Sequence, residues 1–89
     1  MMKIKNTVIH RAVAGEHILV PVGESAHDYQ GFFAITELGG EIWDRLVKGM
    51  AEETILSELL DLYEVDEETL TKDYHAFIGQ LEELGLIEK

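Results

Sequence analysis

The amino-acid sequence predicts an α+β domain in which three antiparallel strands are followed by three helices. Short runs of β-branched and apolar residues separated by turn residues precede Thr36, as in strands, and apolar residues recur about every 3.6 residues from Thr36 onward, as in amphipathic helices. Capping residues then divide the second half into helices, with Asp66 placed to begin one and Gly85 placed to end it. A run of strands followed by a run of helices is typical of an antiparallel sheet covered on one face by helices.

The strands are predicted from β-branched composition and from turn residues. Thr7–Val13 and His17–Val22 are separated by Ala14-Gly15-Glu16, which indicates a hairpin, and Pro21 is expected at an edge or near a strand end because it lacks an amide donor. Gly23–Gly31 is polar and is expected to form a loop. The apolar run Phe32–Ile35 is predicted to be the third strand.

The helices are predicted near residues 36–48, 52–63 and 66–84. Thr36 is a candidate N-cap of the first helix, where Gly39 and Gly40 either allow a close approach of the backbone to a neighbouring element or mark a frayed first turn. The second helix is apolar over a wide arc, with Ile55, Leu59 and Leu62 on one face. The residues expected to be largely buried are Trp43, Leu59, Tyr74, Phe77 and Leu81.

Length and composition predict one globular domain over residues 1–89, with a frayed start at residues 1–6. Hydrophobic residues make up 46% and charged residues 28% of the chain, as in ordinary globular domains. Without cysteine there are no disulfides, thiolate zinc sites or cysteine nucleophiles. No signal peptide or membrane-spanning segment is recognised, so a cytoplasmic protein without membrane contact is expected.

The formal net charge is −11 and is concentrated in the second half of the chain. Residues 1–50 carry five Lys or Arg against six Asp or Glu, whereas residues 51–89 carry two against twelve. Nucleic acids bind surfaces rich in Lys and Arg, so this distribution disfavours a nucleic-acid partner and favours a basic or neutral one. An equally open interpretation is that the charge serves only solubility.

No catalytic or cofactor motif is present in the sequence. The histidines at 10, 17, 27 and 75 have no HExxH or i, i+4 spacing, and surface or strand-face positions are expected for them. There is no phosphate-binding glycine loop and no GxSxG elbow, and adjacent acidic pairs such as Glu67-Glu68 diverge on a helix. The chain is therefore interpreted as a non-catalytic binding module that requires no cofactor or metal.

Four segments in this order and spacing resemble proteins of the PqqD family from about Val8 to Ile87. In that family an L-N-E-T-like segment enters a G-x-x-[IL]-W-x-L helix, and this chain departs from it with Thr36-Glu37-Leu38 in place of N-E-T and with a long loop before the third strand. The segments that carry the resemblance are Ile35–Leu46 (ITELGGEIWDRL), Glu52–Ile55 followed by Leu59, Tyr63–Asp66 (YEVD), and Asp73–Leu81 (DYHAFIGQL) followed by Gly85–Ile87 (GLI).

The resemblance implies a winged helix-turn-helix domain that is a recognition element for ribosomally made, modified peptides. Such domains bind the leader of a precursor peptide as an added strand and present it to a modifying enzyme, often a radical S-adenosylmethionine enzyme. Strand addition would use the exposed edge of the third strand, and a small, polar stripe on the third helix would line the groove. The residues expected at this site are Phe32, Phe33, Ala34, Ile35, Thr69, Asp73, Ala76, Phe77 and Gln80.

Two other functions stay open at this point. A winged-helix regulator that binds DNA is compatible with the fold, although the segment from Asp66 to Glu83 carries one Lys against six acidic residues. A structural or dimerisation module without a peptide ligand is the other. The expected assembly is a monomer or a weak homodimer.

Overall fold

The computed structural model describes residues 3–4, 8–23 and 31–88, and within them it confirms the α+β architecture. Three strands form one antiparallel sheet in the order β2-β3-β4, and three helices follow. Residues 24–30 of the predicted polar loop, with His27, lie outside the described residues. The elements are β1 (Lys3–Ile4), β2 (Val8–Val13), β3 (Glu16–Pro21), β4 (Phe33–Ile35), α1 (Glu37–Val47), α2 (Glu52–Leu62), α3 (Glu67–Glu83) and β5 (Ile87–Glu88).

The β2–β3 hairpin closes through a two-residue turn at Ala14 and Gly15, both of which have positive φ angles, of 53° and 83°. Turns of this kind match the right-handed twist of paired strands. Leu19, in the middle of β3, is fully buried against the helices. Pro21 is the last residue of β3, as expected for a residue without an amide donor.

Helix α1 begins and ends as the capping residues predict. The amide of Gly39 donates to Oγ1 of Thr36 at 3.0 Å, so Thr36 is the N-cap. At the other end, Gly49 has a φ of 81°, and its amide and that of Met50 donate to carbonyls in the last turn. Gly39 and Gly40 are both buried, which confirms that they allow close packing.

Helix α2 is less enclosed than its sequence predicts. Ile55 and Leu59 are fully buried, but Leu62, expected on the same face, is 55% exposed. The prediction for Leu62 is wrong because α2 ends at this residue, where the chain turns towards α3 and no described element covers the side chain.

Helix α3 is capped at both ends by predicted residues. Oδ1 of Asp66 accepts the amide of Thr69 at 2.7 Å. At the C-terminal end, Gly85 has a φ of 76°, and the amide of Leu86 donates to the carbonyl of Leu81 at 2.9 Å. This is the hydrogen-bond pattern of a Schellman motif, and it leaves Leu86 fully buried.

The expectation of a frayed start is wrong for Lys3 and Ile4, which form β1. Lys3 pairs with Glu88 and Ile4 with Ile87, so β1 and β5 make a separate two-stranded antiparallel sheet. No helix in the described part of the chain has the length and apolarity needed to cross a membrane. The five residues predicted for the core are all buried, and the hydrophobic core consists of Val8, Leu19, Ile42, Trp43, Leu46, Ile55, Leu59, Leu70, Tyr74, Phe77, Ile78, Leu81, Leu86 and Ile87.

Candidate functional site: a strand edge beside a groove

A groove runs between the start of α1 and the middle of α3. Its volume is about 430 Å³, and one side is open to solvent. Asp73, Ala76 and Gln80 among its lining residues were predicted from the sequence as the binding stripe of α3, and Phe77 was predicted as a further binding residue. The opposite wall comes from α1 and its N-cap. The lining residues are Thr36, Leu38, Gly39, Ile42, Asp73, Ala76, Phe77 and Gln80.

The floor of the groove depends on close packing between Gly39 and Phe77. A Cβ atom added to Gly39 would lie 2.9 Å from Cε1 of Phe77, closer than side chains pack. The absence of a side chain at residue 39 therefore lets the ring pack directly against the α1 backbone, and Phe77 is only 9% exposed. Ala76 and Gln80 are exposed beside it. The floor is thus apolar and the α3 rim is small and polar.

Strand β4 is an edge strand of the three-stranded sheet. Its described pairing is with β3 alone, through Leu19↔Phe33, Ile18↔Ala34 and His17↔Ile35. Alternate residues of an edge strand direct their N–H and C=O groups away from the sheet, where an added strand can pair with them. Thr36 follows β4 directly and lines the groove, so the edge leads into the groove.

The structure does not bring every predicted site residue to this place. Phe33 and Ile35 are half-buried in β4 and Ala34 is exposed, but Phe32 precedes the strand and is 60% exposed. The prediction that Phe32 belongs to the third strand is therefore wrong, since pairing with β3 begins at Phe33. Thr69 lies on the first turn of α3 and is not among the residues that line the groove.

The wall formed by α1 was missed by sequence reasoning. Leu38 and Ile42 have the spacing of core residues, and nothing in their pattern separates a groove wall from a core face. The signal that could have located it was the Gly39-Gly40 pair, because two consecutive glycines inside a helix indicate close contact with neighbouring elements.

The charges around the groove are negative. Asp73 is the one charged residue among the described residues that line it. On the flank of α1, burial raises the pKa of the Tyr63 hydroxyl, and the nearby carboxylates of Glu37 and Glu41 raise it further, while Arg45 acts in the opposite direction. A basic or neutral ligand therefore fits this surface better than an acidic one.

Two histidines on the helix-facing side of the sheet form a hydrogen-bonded chain with α1. Nδ1 of His10 lies 2.9 Å from Oδ1 of Asp44, and Nε2 of His10 lies 2.9 Å from Nδ1 of His17. The sequence predicted strand-face histidines but not their contact with each other. A search of the described residues finds no group of three or more His, Cys, Asp or Glu that could hold a metal ion.

An edge strand beside an apolar groove is a surface on which small domains can bind extended peptides by strand addition. The fold and the groove thus define an α+β domain with a candidate peptide-binding surface. The chain belongs to the PqqD family, because residues 16–87 match the family described as coenzyme PQQ synthesis protein D.

Two solved structures are similar to almost the whole chain. One is described as TbiB1 in complex with the TbiA(beta) leader peptide; it is 26% identical, with a TM-score of 0.75, over 97% of this chain and 94% of that chain. The other is lasso peptide synthetase B1 complexed with the leader peptide, at 16% identity and a TM-score of 0.75, over 99% of this chain and 98% of that chain. This second likeness shows the fold alone. No curated protein matches the chain significantly.

Proposed function

We propose that the chain is a non-catalytic domain that binds the leader segment of a ribosomally made precursor peptide and presents it to a modifying enzyme. The observation that carries the proposal is the position of β4, at the edge of the three-stranded sheet, next to the groove between α1 and α3. Membership of the PqqD family and the likeness to TbiB1, which was solved with a leader peptide, support it.

The leader adds as a strand along Phe33–Ile35, with the exposed ring of Phe32 at the start of the contact. Backbone hydrogen bonds to β4 supply affinity that does not depend on the leader sequence. Because side chains alternate between the two faces of a strand, every second leader residue faces the helices and can enter the groove. Selectivity then depends on the apolar floor and on the rim formed by Asp73, Ala76 and Gln80.

Asp73 gives the groove a preference for ligands that carry a hydrogen-bond donor at this position. Its carboxylate is exposed and can accept a hydrogen bond from a basic leader side chain or from a leader amide. Once partly covered by the peptide, such a bond contributes about 1–3 kcal/mol. An Asp73→Asn variant keeps the shape but removes the charge, so binding should weaken by about tenfold if a basic residue is held there.

The partner enzyme supplies the chemistry in this proposal. The candidate class is a radical S-adenosylmethionine enzyme, which carries its own cofactors, and the encounter takes place in the cytoplasm. The test is co-purification of the tagged chain with the enzyme encoded beside it, with and without the precursor. Recovery of a peptidase or a synthetase instead of an iron–sulfur enzyme would keep the leader-binding function and replace the enzyme class.

The site is tested by NMR titration of the labelled chain with a synthetic leader of the precursor peptide encoded beside its gene. We expect the largest shifts at residues 33–35 and 73–80. Shifts confined to the C-terminal half of α1 and to α2 would place the site elsewhere. A DNA duplex at low salt is the comparison ligand, and the net charge of −11 predicts no binding to it.

Ala76→Arg tests the groove itself. Ala76 is exposed on the rim, so a long charged side chain fills the groove without disturbing the core, and leader affinity should fall by more than tenfold. The matched control is His75→Arg, one position earlier on α3, where the exposed side chain contacts Glu52 on α2. Equal losses in the two variants would show that added positive charge, and not occupation of the groove, causes the effect.

A further inference from the structure

The chain formed by Asp44, His10 and His17 links three elements across the interior of the domain. His10 lies on β2, His17 on β3 and Asp44 on α1, and the two hydrogen bonds are both 2.9 Å long. The imidazole rings stack with centroids 5.2 Å apart and an angle of 28° between their planes. The His10 side chain is only 13% exposed, whereas that of Asp44 is 47% exposed, so the His10 ring is largely shielded from water and the Asp44 carboxylate is not.

The hydrogen-bonded residues Asp44, His10 and His17 contact the turn of α1 that forms the groove wall. A Cβ atom at Gly40 would lie 2.6 Å from Cε1 of His10 and 3.1 Å from Nδ1 of His17, so the histidines rest directly on the helix backbone. At the preceding residue, Gly39, an added Cβ atom would likewise lie too close to the ring of Phe77 on α3. The first turn of α1 is therefore held between the histidine pair on one side and the groove floor on the other.

We propose that His10, His17 and Asp44 are positioning residues for the leader site. By fixing α1 against the hairpin, they set the distance between the β4 edge and α3, which is the width of the space that a leader strand occupies. His17 pairs across the sheet with Ile35 of β4, so the same residue touches both the docking strand and the helix. The inference rests on the proposed leader-binding function and adds to it a dependence on protonation.

Protonation of both imidazole rings breaks the hydrogen bond between His10 and His17. When both rings are neutral, Nδ1–H of His10 donates to Asp44, and Nδ1–H of His17 donates to the bare Nε2 of His10. One further proton goes to the other nitrogen of His17 and leaves both bonds intact. When both rings are protonated, two N–H groups point at each other across 2.9 Å, and the bond between the histidines is lost.

Among the described elements packed against His10 and His17, the charged group that faces the two rings is the carboxylate of Asp44. Residues on β2 and β3 alternate between faces, so Arg11 and Glu16 lie on the opposite face of the sheet. On α1, Glu41 bonds to Arg45, and from β4 the apolar Ile35 faces His17. The remaining charged residue of the first α1 turn, Glu37, lies towards Tyr63.

The first experiment needs no peptide. Imidazole ¹⁵N NMR near neutral pH should show His10 with its proton on Nδ1, the less common tautomer, because Asp44 accepts from that nitrogen. As the sample is acidified from neutral pH to about 5, the Gly39 and Gly40 amide signals should shift together with the imidazole signals of the pair. A His10 proton found on Nε2 alone at neutral pH, or glycine amides that do not respond to acid, would overturn the inference.

The second experiment compares the pH profiles of leader binding. In His17→Asn the amide occupies the position of Nδ1 and can either donate to His10 or accept from it, so the contact survives protonation. Between about pH 7.5 and about pH 5, we expect the dissociation constant of the wild type to rise about tenfold more than that of this variant. His75→Gln, which removes an exposed histidine remote from the pair, should follow the wild type.

The outcomes of the two experiments separate the two proposals. The leader's own titration is common to all variants, so the ratio of dissociation constants isolates the pair. The positioning role would be refuted if the dissociation constants of the wild type and of His17→Asn rose by factors that agree within about twofold, which is the scatter expected of a neutral change. If the leader binds no variant at any pH, the proposed function fails while the NMR result still decides the role of the histidines. If His17→Asn does not fold, the imidazole NMR experiment on the wild type decides the role of the histidines alone.

Discussion

Replacing Gly40 with alanine tests the packing of α1 against the histidine pair. Alanine favours the helical conformation by about 1 kcal/mol relative to glycine, so in an open position the substitution would stabilise the protein. Here the new methyl group would lie 2.6 Å from Cε1 of His10, whereas ordinary contacts lie near 3.4–4 Å. Either α1 or the hairpin must move by almost 1 Å, which strains the core by about 1–3 kcal/mol. Loss of the bond from His10 to His17 or to Asp44 adds about 1–3 kcal/mol.

We therefore expect Gly40→Ala to lower the free energy of unfolding by about 1–5 kcal/mol after the helix preference is subtracted. The control is Gly79→Ala on α3, where an added Cβ atom meets nothing within 4 Å and a gain of about 0.5–1 kcal/mol is expected. Urea denaturation followed by circular dichroism measures both, and similar slopes would show that only stability has changed. If Gly40→Ala were as stabilising as Gly79→Ala, the reasoning about close packing would be refuted.

Three further predictions concern stability. Phe77→Ala should lower the free energy of unfolding by about 3–5 kcal/mol in denaturant titration, since it removes a buried ring; a loss below about 1 kcal/mol would contradict the assigned core. Leu59→Ala should lower it by about 2–5 kcal/mol, whereas Leu62→Ala, at a 55% exposed position, should change it by less than about 0.5 kcal/mol, and equal effects would show that α2 is more enclosed than described. Hydrogen bonds from the amide and the side chain of Thr69 lower the pKa of Asp66. The ionised cap therefore stabilises the fold fully above the usual Asp pKa of about 3.9, and this stabilisation is lost as the pH falls through the lower pKa of the folded state. Asp66→Ala should consequently lower the melting temperature at neutral pH but much less in strong acid.

The helices were predictable because their signals are local. The Thr36 and Asp66 caps and the glycine after α3 act within a few residues of the helix ends, so sequence spacing was enough to find them. β1 and β5 were missed for the opposite reason. Two-residue strands have too little pattern to recognise, and the partners Lys3 and Glu88 are separated by almost the whole chain.

Half of the candidate site was predictable in the same way. Asp73, Ala76 and Gln80 follow from helical spacing on α3, but the wall opposite them depends on how α1 packs against α3, which no local pattern specifies. The histidine chain depends on strand register as well. His10 and His17 come together only because the hairpin turns at Ala14-Gly15, and both then need α1 to cross above them.

The two-stranded sheet of β1 and β5 brings the beginning and the end of the described fold side by side. Lys3 and Glu88 are direct partners, so their Cα atoms are about 5 Å apart, and a linker of a few residues would join them. The fold can therefore be circularly permuted, with new ends opened at an exposed turn such as Gly49. For the same reason the domain can be inserted into a surface loop of an unrelated scaffold, because its two ends lie about as close together as the two ends of a hairpin.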